Sequence, residues 1–343
     1  PAPLRPHDAG PGEPPVTEEM TSRERFMAAL RCEPVDRVPC VPWFWASRFP
    51  GREPWRTERE GVEFFLHELD TDACLHTALG PGHAPSVTSE FHASDDGQTL
   101  HKTWHTQDGD LSASIRVFGT LPARDDIALS SDHNPSLFLK PWIETPEDVE
   151  RFRHLCRPPT ERDVAVFKDV LARKRALADE FGLPIVADVG KGLTLLLQMM
   201  GAERAVLASM DCPELLDRFM EIEHEANMAC MAAVLDAGVR VIVRNGWYET
   251  CDFWSPPQVR ELVMPRVKEG ADLTHAKGGV FVYIGCTGIR PLLDMYLEAG
   301  IDALCKFETK LAGHSLEDLA GKLAGRMGLW GGVSDCQDLG RGG

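Results

Sequence analysis

The feature that most constrains this chain is a repeated unit: a short apolar run, a longer amphipathic stretch, then glycine. The apolar runs lie at 38–45, 73–79, 184–189, 239–244, 280–284, 303–307 and 329–333. The later amphipathic stretches lie at 213–237, 256–277, 291–299 and 316–324. Gly238, Gly278, Gly279, Gly300 and Gly328 stand at the joints, where a left-handed helix end favours a residue without Cβ. Strand, helix, strand in this order builds parallel βα units. The spacing therefore predicts an α/β fold, a TIM-type (β/α)8 barrel. Seven strands can be counted where closure takes eight, so the chain is expected to lack the last strand and helix. An open doubly wound sheet is the alternative, but no GxGxxG sits at a first strand–helix turn.

Two segments break the rhythm. Residues 1–18 are rich in Pro and Gly. Burial there cannot offset the entropy of ordering, so a disordered tail is expected, with the barrel domain over 19–343. Runs at 86–93, 98–106 and 111–118 are separated by Asp95-Asp96-Gly97 and Asp108-Gly109-Asp110. Asp-Gly turns between such runs predict an antiparallel β insertion at about 86–120. It follows the second strand, so it is placed either to cover the barrel's C-terminal mouth or to decorate the surface.

Charge narrows the partners. A formal net charge of -17 argues against nucleic acid and anionic membrane, which both need basic patches. A small-molecule substrate remains, and an anionic one would need a local cluster of Arg or Lys. The ten cysteines form no CxxC pair and read as thiols of a reducing, cytoplasmic compartment. No apolar run is long enough to span a bilayer. A monomer and a homodimer are both left open.

Several motifs occur in a telling order. Ser22 to Pro42 reads SRERFMAALRCEPVDRVPCVP, with Pro34-Val35-Asp36-Arg37-Val38-Pro39 leading into the first strand. Gly192-Leu193-Thr194, Gly201-Ala202-Glu203, Trp254-Ser255-Pro256 and Leu262-Val263-Met264-Pro265 follow, then Cys286-Thr287-Gly288 and Trp330-Gly331-Gly332-Val333. Over roughly residues 21–340 this pattern resembles the uroporphyrinogen decarboxylase superfamily. That group includes the haem-pathway decarboxylase and corrinoid-linked methyltransferases.

In a barrel the chemistry sits at the C-terminal ends of the strands. Those ends carry Trp45, His76, His83, Asp188, Lys191, Asn245, Glu249, Tyr283, Cys286, Lys306, Glu308 and Asp335. Glu249, Glu308 and Asp335 are candidate catalytic carboxylates, as bases or metal ligands, although strand-end carboxylates often only cap the next helix. Asn245 and Tyr283 are candidates for substrate binding, against ordinary turn and packing roles.

The resemblance adds specific expectations. Arg48-Phe49-Pro50-Gly51-Arg52 resembles the decarboxylase loop whose arginines hold substrate carboxylates, so Arg48 and Arg52 are implied substrate-binding residues. The decarboxylase's acidic residue falls here on Leu79, and its tyrosine near Gln198. The methyltransferase branch binds zinc through a His-x-Cys pair and a later Cys. Cys286 matches the first Cys, but Ile284 stands at the His position. Cys286 is thus the implied metal residue, with zinc as the implied ion, and Cys336 could approach the same mouth. A corrinoid on a partner protein is the implied methyl carrier. The resulting expectation is methyl transfer between a small substrate and a corrinoid or thiol acceptor. The alternatives are decarboxylation of an anionic tetrapyrrole or smaller acid, and a non-catalytic ligand-binding barrel.

Overall fold

The computed structural model describes residues 19–42, 55–119, 126–309 and 315–333. The expected tail over 1–18, together with Trp45, Arg48, Arg52, Asp335 and Cys336, lies outside these residues.

In chain order the elements are α1 (Ser22–Leu30), α2 (Glu58–Glu63), β1 (Leu75–Ala78), β2 (Thr88–Ala93), β3 (Thr99–Thr106), β4 (Gly109–Arg116), α3 (Asn134–Leu137) and β5 (Phe138–Lys140). Then follow α4 (Pro146–Phe152), α5 (Glu161–Phe181), β6 (Ile185–Asp188), α6 (Leu193–Met200), α7 (Ala202–Asp211), α8 (Pro213–Asp236) and β7 (Val241–Asn245). The last are α9 (Pro256–Gln258), α10 (Met264–Ala276), β8 (Val280–Ile284), α11 (Leu293–Glu298), β9 (Ala303–Cys305), α12 (Leu316–Leu323) and β10 (Gly328–Trp330).

The strands β1, β6, β7, β8, β9 and β10 form one parallel sheet in that order, as apolar runs separated by helices should. Its two faces are both apolar. Val186, Val241, Val243, Val280, Val282, Ile284, Ala303 and Cys305 share one cluster with Phe26, Leu30 and Val41. Ala187, Ile242, Phe281 and Leu304 point the other way, into the helix layer. The sheet is rolled. Its two edges approach each other, since Asp72, just before β1, and Trp330, in β10, hydrogen-bond to the adjacent residues Cys40 and Val41.

The segment 38–42 follows the first strand's expected path without joining the ladder. It is held at both edges: Asp72 N donates to Cys40 O at 2.8 Å, and the Trp330 indole donates to Val41 O at 3.0 Å. Phe26 of α1 packs edge-on against Trp330, centroids 4.8 Å apart, and the end of α1 at Ala29 and Leu30 lies against Gly328 where β10 begins, so α1 covers the strand starts there.

The motif Pro34-Val35-Asp36-Arg37-Val38-Pro39 has a structural explanation. Arg25, 1% exposed, donates to Asp36 at 2.6 Å and to Asp72 at 2.5 Å. Arg37 donates to the other oxygen of Asp72 at 2.7 Å, and Cys40 N donates to it at 3.1 Å. These bonds lock the helix, the incoming strand and the start of β1 together.

The expected β insertion is β2–β3–β4, extended by β5 into a four-stranded sheet. Its turns fall at the two Asp-Gly sites, since Thr99–Ala93 and Thr106–Gly109 frame them. Leu100, Leu111, Ala113 and Ile115 on one face are buried in the main core. Asp108 reaches His154, beyond α4, at 2.7 Å. The sheet is therefore fastened beside α4, and the chain returning from it, residues 127–133, runs to the mouth.

Candidate functional site

Strand alternation decides which side chains enter the barrel. On β1 and β6 it sends His76 and Asp188 inward. His76 Nδ1 lies 3.3 Å from Asp188 Oδ2, and its Nε2 lies 3.4 Å from Cys74 Sγ. The pair is accessible: the two side chains are 22% and 24% exposed. At the end of β9, Lys306 takes a left-handed backbone, φ 55°, a strained conformation for a long side chain. Its ammonium lies 5.8 Å from the centre of the Trp247 ring. Burial lowers its pKa, while Cys305 and Asp188 oppose that shift. Burial also lowers the pKa of Lys191, against the pull of Asp132, Asp188 and Glu223. Asp188 thus pairs with a histidine and pulls electrostatically on two lysines.

A polar chain crosses beside this group. Lys191 donates to Ser130 at 2.5 Å, Ser130 to Gln198 at 2.7 Å and Gln198 to Asp132 at 2.6 Å. Tyr248 donates its hydroxyl to the same Asp132 oxygen at 3.0 Å. Burial, then Asp132, pushes the Tyr248 phenol up, and Cys286 adds to the effect. Gln198 stands where the resemblance implies a tyrosine, and here the Tyr248 hydroxyl shares its carboxylate partner.

Of the sequence candidates, Cys286 and Glu308 come together, for Glu308 N donates to Cys286 O at 2.9 Å. Asn245 faces the barrel, but its side-chain oxygen accepts from Trp247 N at 3.1 Å and so holds the turn. Glu249 and Tyr283 take a different place. Arg244 and Tyr283 point outward from β7 and β8 into the helix layer, where Glu249 joins them at 0% exposure. Glu249 accepts from Arg244 at 2.9 Å, from Leu193 N at 3.0 Å and from the Tyr283 hydroxyl at 2.5 Å. Burial raises its pKa, while Arg244, Tyr283 and the Leu193 amide pull the other way. This carboxylate fixes the loop after β7 to the start of α6 and does not open on the mouth. Glu249 as a candidate catalytic carboxylate at the mouth and Tyr283 as a candidate for substrate binding are therefore corrected, because β-alternation puts Tyr283 and Arg244 behind the sheet and Glu249 pairs with them there.

The same network explains Gly192. Its φ is +51°, and a Cβ there would sit 2.1 Å from Glu249 Oε1 and 2.3 Å from Arg244 Nη2. Gly192→Ala is expected to destabilise the fold by about 1–3 kcal/mol or more through overpacking and strain. Urea unfolding would measure this, and an unchanged midpoint would contradict it.

Sequence reasoning named His76, Asp188, Lys191 and Lys306 as strand-end residues but not as a group. The signal was the inward parity of His76 and Asp188. Ser130, Asp132 and Tyr248 gave no signal, since long-range contacts alone bring them there. Among the described residues, no three His, Cys, Asp or Glu side chains are placed to hold a metal ion. Ile284 supplies no donor beside Cys286, so these residues do not make the zinc site that the resemblance implies.

Comparison with known proteins fits the fold. The family profile described as Uroporphyrinogen decarboxylase (URO-D) matches residues 126–337, more than half of the chain. No curated protein matches. Among solved structures, a "methyltransferase from Methanosarcina mazei" superposes with a TM-score of 0.54 at 19% identity, covering 94% of this chain and 85% of that one. At that identity the likeness speaks for the fold alone.

Proposed function

Since the chain belongs to the uroporphyrinogen decarboxylase family, we propose that it is an enzyme moving a methyl group between a small substrate and a corrinoid or thiol acceptor. The observation that carries this reading is Leu79. It is apolar and 7% exposed, at the position where the resemblance places the decarboxylase's acidic residue, the group that would stabilise a protonated pyrrole. The name of the Methanosarcina structure agrees with the reading.

The chemistry needs a group that moves a proton. When a thiol accepts the methyl group, its sulfur–carbon bond forms as the bond from methyl to the donor breaks. The donor leaves with the electron pair, and the thiol proton must go to a base. His76 and Asp188 form an accessible pair for that step. Lys306 and Lys191 would hold an anionic end of the substrate. Zinc at Cys286 would need ligands from outside the described residues. Metal analysis of wild type beside Cys286→Ala tests it, with stoichiometric zinc in the first alone as the supporting result.

The activity test incubates the protein with an isotopically labelled methylcorrinoid and a set of small thiols, and follows labelled thioether by mass spectrometry. Labelled product supports the reading. Carbon dioxide release from a carboxylated tetrapyrrole, with no methyl transfer, would replace it with the decarboxylase reading, which the two lysines favour. No turnover in either assay would leave a binding barrel.

The lysines also set a pH dependence. Burial holds both below the ordinary lysine value of 10.5, so they lose charge earlier as pH rises. KM for an anionic substrate is expected to climb on the alkaline side. Lys306→Arg should flatten that climb, because guanidinium stays charged. A pH-independent KM up to pH 10 would count against a role for Lys306 in binding.

A further inference from the structure

At the end of the barrel opposite the mouth lies a cavity of about 500 Å³. It sits where β6 and β7 begin, between α1 and the C-terminal part of α5. Arg23, Arg31, Arg175, Arg240 and Lys277 line it, with Asp179 as the acidic residue among them. Arg23 pairs with Asp179 at 2.7 Å, and Lys277 with Asp236 at 2.7 Å. The other three are held differently. Arg240 donates to Leu235 O at 2.8 Å and to Val239 O at 3.0 Å. Arg175 donates to Ala237 O, and Arg31 to Gly278 O at 3.5 Å. Among the described residues, Arg31, Arg175 and Arg240 make no direct ion pair, and Arg240 meets the Asp236 carboxylate only as a longer-range attraction. Backbone carbonyls orient these guanidinium groups yet leave their charge and further N–H donors available.

In a chain of net charge -17, five cations lining one hollow with a single carboxylate among them create a local field opposite to that of the whole. Guanidinium forks suit phosphate oxygens. The lining is also apolar between the cations, with Met27, Leu183, Ile185 and Val239. A bare ion would leave that surface uncovered. The volume lies within the range of pockets that hold small organic ligands.

We propose that this basal cavity is a binding site for a small organic molecule carrying two or more phosphate groups on a compact apolar body. It is separate from the mouth, since it opens at the strand starts and Asp188, Lys191 and Lys306 stand at the strand ends.

Isothermal titration calorimetry of the full chain tests this with ADP, inorganic pyrophosphate and adenosine as probes. ADP is expected to bind one to one, with adenosine and pyrophosphate each at least about tenfold weaker. Combined Arg31→Gln, Arg175→Gln and Arg240→Gln substitutions should weaken ADP at least about tenfold, whereas Lys306→Ala at the mouth should not. Thermal unfolding without ligand checks that the triple variant is folded; if it is not, Arg240→Gln alone gives the same comparison. Absence of ADP and pyrophosphate binding at millimolar concentration, or binding undiminished by the arginine substitutions, would overturn the proposal. So would loss of binding in Lys306→Ala, which would place the anion at the mouth.

Discussion

Asp72→Asn is expected to destabilise the protein by about 3–5 kcal/mol, the range for breaking a buried ion pair. Asp72 is 0% exposed and accepts from Arg25, Arg37, Ser22 and Cys40 N. An amide keeps the shape but loses the charge, and its NH2 would face a donor. Arg25, 1% exposed, would then keep only Asp36 as a counter-charge. The effect should reach beyond the local site, because the network joins α1, the segment 38–42 and β1. Chemical denaturation of wild type and variant measures it, and a difference under about 1 kcal/mol, the scale of a surface pair, would show that the network is not a brace. Asp36 adds an acid sensitivity. Its hydrogen bond from Arg25 holds its carboxyl below the ordinary 3.8. The resulting stabilisation is present above that unfolded value and is lost as pH falls toward the folded one.

The architecture was legible because parallel strands buried on both faces must be continuous apolar runs. β6, β7, β8, β9 and β10 fall on such runs, and the Asp-Gly sites mark the turns of β2–β4. The 21-residue α5 was missed: its charged, exposed face weakens the apolar period, although Thr160 and Asp163 form a capping box and Gly182 ends it at φ 64°. Resemblance to a family pointed to Asp36 and Arg37 without saying what they do, since their partners Arg25 and Asp72 become visible only when the chain closes on itself. Glu249 shows the opposite difficulty. A carboxylate four residues past a strand looks accessible in sequence, and only packing reveals that Arg244, Tyr283 and Leu193 occupy it. The group around Asp188 draws on residues 76, 188, 191 and 306, plus Ser130 and Asp132 from a returning loop, and no local pattern links these.

His76→Gln and Asp188→Asn are each expected to lower kcat by about 10²–10⁴-fold, the scale of lost general acid–base catalysis. Both keep a polar side chain of similar size, and both positions are partly exposed, so the fold should hold. The two differ in what they remove. Gln at 76 abolishes the proton-carrying ring, whereas Asn at 188 leaves the ring and removes the carboxylate that orients it at 3.3 Å. If the residues act as a unit, the double variant should be little worse than the worse single one, because coupled effects are not additive. Asp188→Asn should also change KM for an anionic substrate, since Lys191 and Lys306 both feel that carboxylate, while His76→Gln should leave KM nearly unaltered. Cys74→Ala separates a further role. The thiol lies 3.4 Å from the other ring nitrogen, but burial, aided by Asp188, pushes it up to about 12, so it stays protonated and is not a ready nucleophile. Its removal should cost far less than loss of His76. Steady-state kinetics in the methyl-transfer assay, with thermal unfolding of each variant, decides the matter. Full turnover in either His76→Gln or Asp188→Asn would remove this pair from the reaction and turn attention to Cys286 and Glu308, which meet through the Glu308 N to Cys286 O hydrogen bond.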